Sequence, residues 1–328
     1  MKTKKTIVCG FLAVVLMLAF GACTKSSGSE SGLKSPSASK EQRLTGPTDS
    51  FKFTVINGGT AYSVSAGTAT EGTVIIPDYY RPNEDSEYLP VTAIAYEAFK
   101  ERKNIIRVTI PSTVTSIGDY AFRECTNLID ITISSSITSI GDWAFLGCSS
   151  LTGITVDSQN PAYSSVDGVL FNKNRTVLIQ YPIGKQEKSY TIPSSVTSIG
   201  EGAFIDCYNL ESITIPSSVT SIGNEAFAGC TSLISITIPS SVTSIGDMAF
   251  QWCTSLTSIT LSEGVTRIGN NTFSFCSSLP SITIPSSVTS IGFEVFYDCT
   301  KLTSVTMSRR TTFGRYSFPD NARITYSD

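Results

Sequence analysis

The chain has 328 residues, of which 41% are hydrophobic and 16% charged, and it carries a formal net charge of −3 with no histidine. A nucleic-acid-binding protein needs a clustered basic face, so this class is excluded. Without histidine, Ser–His–Asp and Cys–His catalytic centres and His-ligated metal sites are excluded too. Paired carboxylates could in principle still catalyse a reaction, but the Asp and Glu residues are scattered over variable positions and nothing brings them to one pocket. We therefore predict no enzyme, no cofactor and no metal site.

The N terminus has the pattern of a bacterial export signal. Three lysines among the first five residues precede an apolar run over 11–20, and a Gly-Ala-Cys sequence ending at Cys23 follows. A short apolar run with a basic start is a cleaved signal rather than a membrane span. The pattern resembles a lipoprotein signal, with a signal peptide over 1–22 and Cys23 as the lipid attachment site. The alternative is an ordinary secreted protein with a chance cysteine.

Two segments without a repeat follow the signal. Residues 23–50 are rich in Ser, Gly, Lys and Pro and nearly devoid of large apolar side chains, so a flexible tether is predicted. Residues 51–90 are apolar and rich in Gly and Thr, and are predicted to cap the first coil of the repeat region. Residues 308–328 are predicted to close the other end, because exposed terminal strands would pair with other chains.

A 23-residue phrase recurs between these caps. Ile213–Ser235 reads ITIPSSVTSIGNEAFAGCTSLIS, and the phrase restarts at Ile236, Ile259 and Ile282. A fixed period of this size is typical of a solenoid, in which each repeat buries its apolar face against its neighbours. Alternating Ile-Thr-Ile predicts a strand that a proline ends. Ala-Phe-x-x-Cys is predicted to form a single helical or 3₁₀ turn.

Two residue types occupy fixed places in the repeat and should form ladders along the solenoid. Stacked coils lie about 4.8 Å apart, so equivalent side chains are brought together. An aromatic ladder is predicted for Phe99, Phe122, Phe145, Phe204, Phe227, Phe250, Phe273 and Phe296. Parallel Cβ directions disfavour disulfides, so buried free thiols are predicted for Cys125, Cys148, Cys207, Cys230, Cys253, Cys276 and Cys299.

The phrase L-x-x-I-x-I-P-x-S-V-T-S-I-G-x-x-A-F-x-x-C resembles the BspA-like (treponemal-type) leucine-rich repeat over residues 91–307. The resemblance implies a leucine-rich-repeat solenoid, curved, with short parallel β-strands in each coil. It also implies a surface lipoprotein and adhesion to host proteins or other cells. We accordingly expect a chain in the bacterial cell envelope, on the outer membrane or cell surface, whose contact with the membrane is its lipid anchor.

One coil is longer than the others. Over residues 154–189 the next strand phrase arrives 36 residues after the last rather than 23, and Val169-Leu170-Phe171 and Val177-Leu178-Ile179 flank an Asn-rich turn. Two short apolar strands around such a turn predict a β-hairpin. The hairpin is either a tolerated extension or, with the nearby basic residues Lys173, Arg175, Lys185 and Lys188, the edge of a binding site.

Bulky aromatics at otherwise variable positions are the candidate ligand-binding residues. Tyr120 and Trp143 share one position in adjacent coils, and Trp252 and Phe275 share another. Exposed aromatics are enriched in interaction patches, although stacking between coils would also explain them. The leading interpretation is a non-enzymatic, adhesin-like module for a host or neighbouring-cell protein or glycan. A self-associating envelope protein is the alternative, and ice binding through the strand threonines is a remote third.

Overall fold

The computed structural model describes residues 42–46, 48–68 and 72–327. Within this part of the chain, strands and turns form nearly the whole structure, and the only helical element is the 3₁₀ turn Asn57–Gly59. The predicted signal peptide, the predicted lipid attachment site Cys23 and most of the predicted tether lie outside the described residues.

The N-terminal region contains more of the solenoid than its sequence predicts. Val64 pairs in parallel with Ile94, and Ile94 pairs in turn with Ile117 of the first recognisable repeat. Coil-like pairing therefore begins inside the segment 51–90, which was expected to be a cap. The strands of this region are Arg43–Thr45, Phe51–Ile56, Ala61–Ala66, Gly72–Ile75, Tyr79–Arg81 and Leu89–Ile94.

The tether is shorter than predicted, because Arg43–Thr45 is a strand that pairs in parallel with Tyr79–Arg81. The Arg43 guanidinium lies 5.4 Å from the centroid of the Tyr88 ring. The Thr45 and Tyr88 hydroxyl oxygens are 2.6 Å apart, within hydrogen-bond distance. These contacts order a segment whose composition alone predicts a flexible chain.

Each regular coil contributes one long and one short strand to two parallel ladders. Ile131 pairs with Ile154, and Ile236 pairs with Ile259, so neighbouring coils are in register at 23 residues. Alternating Ile-Thr-Ile places isoleucine inward and threonine in solvent. The long strands are Ile105–Thr109, Asp130–Ile133, Gly153–Val156, Ser189–Thr191, Ser212–Thr214, Ser235–Ile238, Ser258–Leu261, Ser281–Thr283, Ser304–Met307 and Arg323–Tyr326. The short strands are Ser116–Ile117, Ser139–Ile140, Ser198–Ile199, Ser221–Ile222, Ser244–Ile245, Arg267–Ile268, Ser290–Ile291 and Thr312–Phe313.

The Ala-Phe-x-x-Cys segment forms hydrogen-bonded turns rather than the predicted helical or 3₁₀ turn. The Cys125 N–H donates to the Phe122 carbonyl at 3.1 Å, three residues back. The Phe122 N–H instead donates to the Ala144 carbonyl of the next coil at 2.8 Å. Alternate N–H groups thus bond between coils, which a continuous helical turn would prevent. The solenoid is joined along its turns as well as along its strands.

The aromatic ladder is confirmed, with one interruption and one extension. Phe227 and Phe250 stack with ring centroids 5.0 Å apart, and each ring is fully buried. The ladder stops at Phe145 and resumes at Tyr181, which replaces phenylalanine in the long coil. Burying one large apolar side chain stabilises the fold by about 1.5–3 kcal/mol. The repeated phenylalanine therefore contributes a similar stabilisation in each regular coil.

The cysteine ladder is confirmed as seven buried free thiols. The Cys125 thiol donates to the carbonyl of Phe99 in the preceding coil at 3.0 Å, and most of the others repeat this contact. The Cys207 thiol is the exception, since its sulfur lies 3.9 Å from the Tyr181 carbonyl oxygen across the long coil. Burial raises the pKa of the Cys125 thiol to about 12.

The predicted hairpin in the long coil is confirmed, and a third strand extends it. The three strands Tyr163–Val166, Val169–Asn172 and Val177–Gln180 form an antiparallel sheet. Val177–Gln180 then pairs in parallel with Ser198–Ile199, which continues the short-strand ladder. Neither ladder crosses the long coil, since Ser139–Ile140 pairs with none of its three strands and Gly153–Val156 does not pair with Ser189–Thr191. The long-strand ladder is interrupted once more, between Ser258–Leu261 and Ser281–Thr283.

The long coil also divides the core. Leu170 packs in the N-terminal hydrophobic cluster, whereas its neighbours Val169 and Phe171 pack in the C-terminal one. Asn160 is fully buried at this joint and donates to the Ser134 and Ile137 carbonyls at 2.6 and 2.8 Å. We refer to the region where the two clusters meet as the joint.

The C-terminal segment continues the solenoid rather than simply ending it. Thr312–Phe313 pairs with the preceding short strand, and Arg323–Tyr326 pairs with the preceding long strand. Phe318 stacks on Phe296 with centroids 5.5 Å apart. Residues 308–327 therefore form another coil, although their sequence departs from the regular phrase of the repeat.

Candidate ligand-binding surface

Two residues in each regular coil adopt a left-handed backbone conformation, and together they form one edge of the solenoid. One precedes Ala-Phe and the other precedes Cys, as Tyr120 (φ 55°) and Glu124 (φ 58°) do in one coil. We call the surface formed by these two columns, with the residue before the second, the turn edge. The first column includes Glu97, Tyr120, Trp143, Gly202, Glu225, Met248, Asn271, Glu294 and Tyr316. The second includes Glu101, Glu124, Gly147, Asp206, Gly229, Trp252, Phe275 and Asp298.

All four predicted binding residues lie in these columns. Trp143 has a φ of 57°, and Trp252 and Phe275 each have a φ of 63°. A left-handed conformation costs about 1–2 kcal/mol for a residue with a Cβ, and Gly, Asn or Asp tolerates it best. Backbone preference therefore does not explain an aromatic residue at these positions. The residues of these two columns vary in the sequence, and the structure shows that both columns are turn positions with a left-handed backbone.

The structure brings Trp252 and Phe275 into direct contact. Their rings are stacked and nearly parallel, with centroids 3.8 Å apart and an angle of 2° between the planes. Phe275 also meets Tyr297 edge-on, at a centroid distance of 5.5 Å. Trp252 and Tyr297 remain 48% and 51% exposed. We call these three residues the aromatic strip; Tyr297 was not among the residues predicted from the sequence.

Tyr120 and Trp143 are not part of the strip. The Tyr120 ring lies edge-on to Tyr96, at a centroid distance of 6.0 Å, and the Arg123 guanidinium lies 5.7 Å from its centroid. Trp143 packs against Gly202 on the far side of the long coil, where an added Cβ would come within 2.2 Å of its ring. Trp143 thus has a packing contact at the joint that its sequence position does not reveal.

The aromatic strip leads into a cleft formed by the last two coils. This cleft has a volume of about 600 Å³, and Tyr297 lies both in the strip and in the cleft wall. Tyr316 and Phe318 provide further apolar wall, and Tyr316 is 75% exposed. Carboxyl groups also line it, from Glu294, Asp298 and Asp320. The cleft was not predicted from the sequence because it lies in the last two coils, where the residues depart from the regular phrase of the repeat.

The basic residues of the long coil are largely engaged within the chain. The Lys173 ammonium donates to the Ser158 carbonyl at 3.2 Å. The Lys185 ammonium lies 3.1 Å from a Glu187 carboxylate oxygen, and Lys188 pairs with Glu211 at 3.1 Å. These contacts favour the interpretation of the hairpin as a structural extension over a binding edge.

The strand threonines form an exposed row along the long-strand ladder, as predicted, but the row is interrupted at the joint. A second row of threonines follows the short strands. There, the Thr266 hydroxyl donates to the Thr243 carbonyl of the preceding coil at 3.0 Å. This second row therefore joins coils to one another.

Metal-ligand clusters and membrane-spanning helices are both absent from the described residues. Across 42–46, 48–68 and 72–327, no group of three or more Cys, Asp or Glu side chains is arranged to hold a metal ion. In the same ranges, no helix is long and apolar enough to cross a membrane.

The repeat geometry matches a known family. The model of the BspA type leucine-rich repeat region matches residues 89–180 and 197–325 in 6 copies, which is well over half of the chain. The chain belongs to this family. The gap between the two matched ranges, 181–196, directly follows the last hairpin strand of the long coil.

Solved structures of bacterial leucine-rich repeat proteins are similar to this chain. A leucine-rich repeat protein from Eubacterium ventriosum is 27% identical, with a TM-score of 0.59 over 84% of this chain and 90% of that one. The pneumococcal vaccine antigen PcpA is 19% identical, with a TM-score of 0.53 over 86% of this chain and 93% of that one. The second likeness shows the fold alone. No curated protein matches the chain significantly in sequence.

Proposed function

We propose that this BspA-type solenoid is a lipid-anchored, non-enzymatic surface module that binds a partner on a host or neighbouring cell through its turn edge. The aromatic strip is the observation that carries the proposal. The lipoprotein-like signal ending at Cys23 supports an anchored, exported chain. The surface location and the adhesin-like role are part of this proposal.

The strip has the physical character of a binding surface. Aromatic side chains provide a large contact area with few rotatable bonds, so they lose little conformational entropy on binding. Trp252 and Tyr297 are about half exposed, and neither ring is needed to close the hydrophobic core. Both Trp252 and Phe275 adopt the left-handed conformation that disfavours them. A ligand that covers the strip would offset that cost.

The test compares two variants of the full chain in a cell-binding assay. Trp252→Ala/Phe275→Ala removes the stacked pair, and Phe293→Ala removes a 49% exposed aromatic of the same half that lies outside the strip. We expect binding of the double variant to fall at least tenfold and that of Phe293→Ala to stay within about twofold. Equal binding by the double variant and the wild type, with both folded, would contradict the proposal.

Self-association into an envelope scaffold is the second candidate, and the sheet ends favour it. In the described part of the chain, Gly72–Ile75 and Arg323–Tyr326 are terminal strands of their sheets. Exposed strand edges are templates for pairing with a second chain. Light scattering over a range of concentrations distinguishes the two candidates, since an anchored binding module would stay monomeric in detergent while a scaffold would grow.

A further inference from the structure

The cleft at the end of the aromatic strip has an unbalanced charge. Glu294, Asp298 and Asp320 line it, and no lysine or arginine does. Among the described residues, none of these three carboxylates lies within 4.0 Å of a basic nitrogen. The Asn271 amide donates to a Glu294 carboxylate oxygen at 3.0 Å, which orients this group without neutralising it.

The N-terminal half of the same turn edge is different. There, Glu97 pairs with Lys100 at 2.6 Å, and Glu124 pairs with Arg123 at 3.3 Å. These residues occupy the same columns as Glu294 and Asp298. The fold therefore does not require unpaired acids at these positions, and the C-terminal coils lack the internal partners that the N-terminal coils have.

Aromatic walls and unpaired carboxylates together select for positive charge. A ring face attracts an ammonium or guanidinium group through its quadrupole, and a carboxylate adds direct attraction. Tyr297 and Tyr316 are the most exposed rings of the cleft. A neutral or acidic ligand would gain nothing from the carboxylates and would have to desolvate them.

The combined length of the aromatic strip and the cleft indicates an extended ligand. From Trp252 to Tyr316 the surface crosses three coil-to-coil steps of about 4.8 Å, or roughly 14 Å. An extended peptide rises about 3.3 Å per residue, so four or five residues span this distance. The cleft volume of about 600 Å³ is within the range of sites that enclose ligand groups.

We propose that the aromatic strip and the cleft bind a lysine- or arginine-containing extended segment of a partner protein, with a cationic side chain in the cleft. This inference rests on the proposed function and names the chemistry of the ligand. The peptide backbone lies along the strip, and the cation meets Asp298, Asp320 and the Tyr316 ring.

The probe is hexalysine with acetylated and amidated ends, titrated calorimetrically into the full mature chain in neutral detergent at about 0.15 M salt, where exposed charges more than about 8 Å apart are screened. Asp298→Asn/Asp320→Asn removes two carboxylates from the cleft. Glu84→Gln/Asp85→Asn removes the same charge from exposed positions outside the turn edge. Tyr316→Ala tests the aromatic wall.

We expect hexalysine to bind the wild type and the Glu84/Asp85 control alike, and to bind the Asp298/Asp320 and Tyr316 variants at least tenfold more weakly. Equal weakening by both double variants would mean general attraction to an acidic chain and would overturn the inference. Absence of hexalysine binding would overturn it as well, yet would leave the proposed function intact if cell binding still depended on Trp252 and Phe275. Tight hexalysine binding without strip-dependent cell binding would support the inference about the cleft and contradict the proposed function.

Discussion

Trp143 and Gly202 are in contact across the long coil, although 59 positions separate them in a chain whose repeat is 23 residues. Gly202 has a φ of 56°, and the Trp143 ring occupies the space that a side chain at this position would need. This contact joins the turn edge on the two sides of the long coil, whose extra strands interrupt the regular stacking.

Gly202→Ala should destabilise the protein because the new Cβ meets the Trp143 ring. The left-handed backbone and the steric overlap together should lower the free energy of unfolding by about 2–4 kcal/mol. Gly59→Ala is the control, since Gly59 has a φ of 95° and nothing within 4 Å of an added Cβ. Urea unfolding followed by circular dichroism measures both. Equal losses would mean that backbone strain alone accounts for the effect.

Asn160→Ala should loosen the joint. The Asn160 side chain donates to two carbonyls and accepts from the Ala162 and Tyr163 N–H groups at 2.9 and 2.8 Å, so its removal leaves several buried polar groups without partners. Each such group costs about 1–3 kcal/mol, and we expect a loss of roughly 3 kcal/mol.

Hydrogen exchange over residues 157–180 localises the effect of Asn160→Ala. Asn174→Ala, at an exposed position in the hairpin turn, is the control and should change exchange little. Unchanged exchange near the Asn160 substitution would show that the side chain does not hold the long coil in place.

Alkaline pH should destabilise the solenoid through its thiols. Burial raises the pKa of Cys125, Cys230 and Cys299 to about 12, whereas an unfolded thiol ionises near pH 8.5. Between these values the folded state holds more protons than the unfolded state, so stability is intact below about pH 8.5 and falls as pH rises. Each thiol contributes about 1.4 kcal/mol per pH unit to that fall.

Cys253→Ala isolates one thiol of the ladder, since the Cys253 side chain is also fully buried. The free energy of unfolding of the Cys253→Ala variant should fall less between pH 8.5 and 10 than that of the wild type. The control is Ser255→Ala, a substitution two residues away at a partly exposed position that should leave the pH dependence unchanged. Identical pH dependence in all three proteins would refute a role for the buried thiols.

Cys23→Ala should abolish lipid attachment. Metabolic labelling with a palmitate analogue is expected for the native chain and not for the variant, and protease added to intact cells should cleave the native protein. Labelling without cleavage would place the solenoid inside the envelope and remove the adhesin-like interpretation in favour of the structural one. Labelling of Cys23→Ala would show that the anchor lies elsewhere.

The repeating interior could be predicted from the sequence because each coil repeats the same apolar pattern. The Phe227 and Cys230 ladders, the parallel strands and the hairpin all follow from period and alternation. The contact between Trp143 and Gly202 could not be predicted, because it joins coils on either side of an irregular one. Phe318 was missed because one aromatic without the rest of its phrase gives no period.

The candidate surface was predictable only in part. Trp252 and Phe275 stand out because aromatic residues replace small or polar ones at an equivalent position. In the next coil the position equivalent to Trp252 and Phe275 is occupied by Asp298. Tyr297 lies one position earlier, so the repeat does not align it with the other two aromatics, although its ring contacts Phe275. The cleft depends on Tyr316 and Asp320, whose coil has diverged from the repeat.

If the proposed lipid anchor holds the chain at one end, the divided core has a mechanical consequence. In a solenoid each coil is stabilised by its immediate neighbours, so unfolding propagates until it meets a weak interface. The joint near Asn160 separates two hydrophobic clusters, and neither the long-strand nor the short-strand ladder continues across it by direct pairing. Tension between a Cys23 anchor and a ligand on the aromatic strip would run through this joint, and the two halves would extend as separate steps rather than as one.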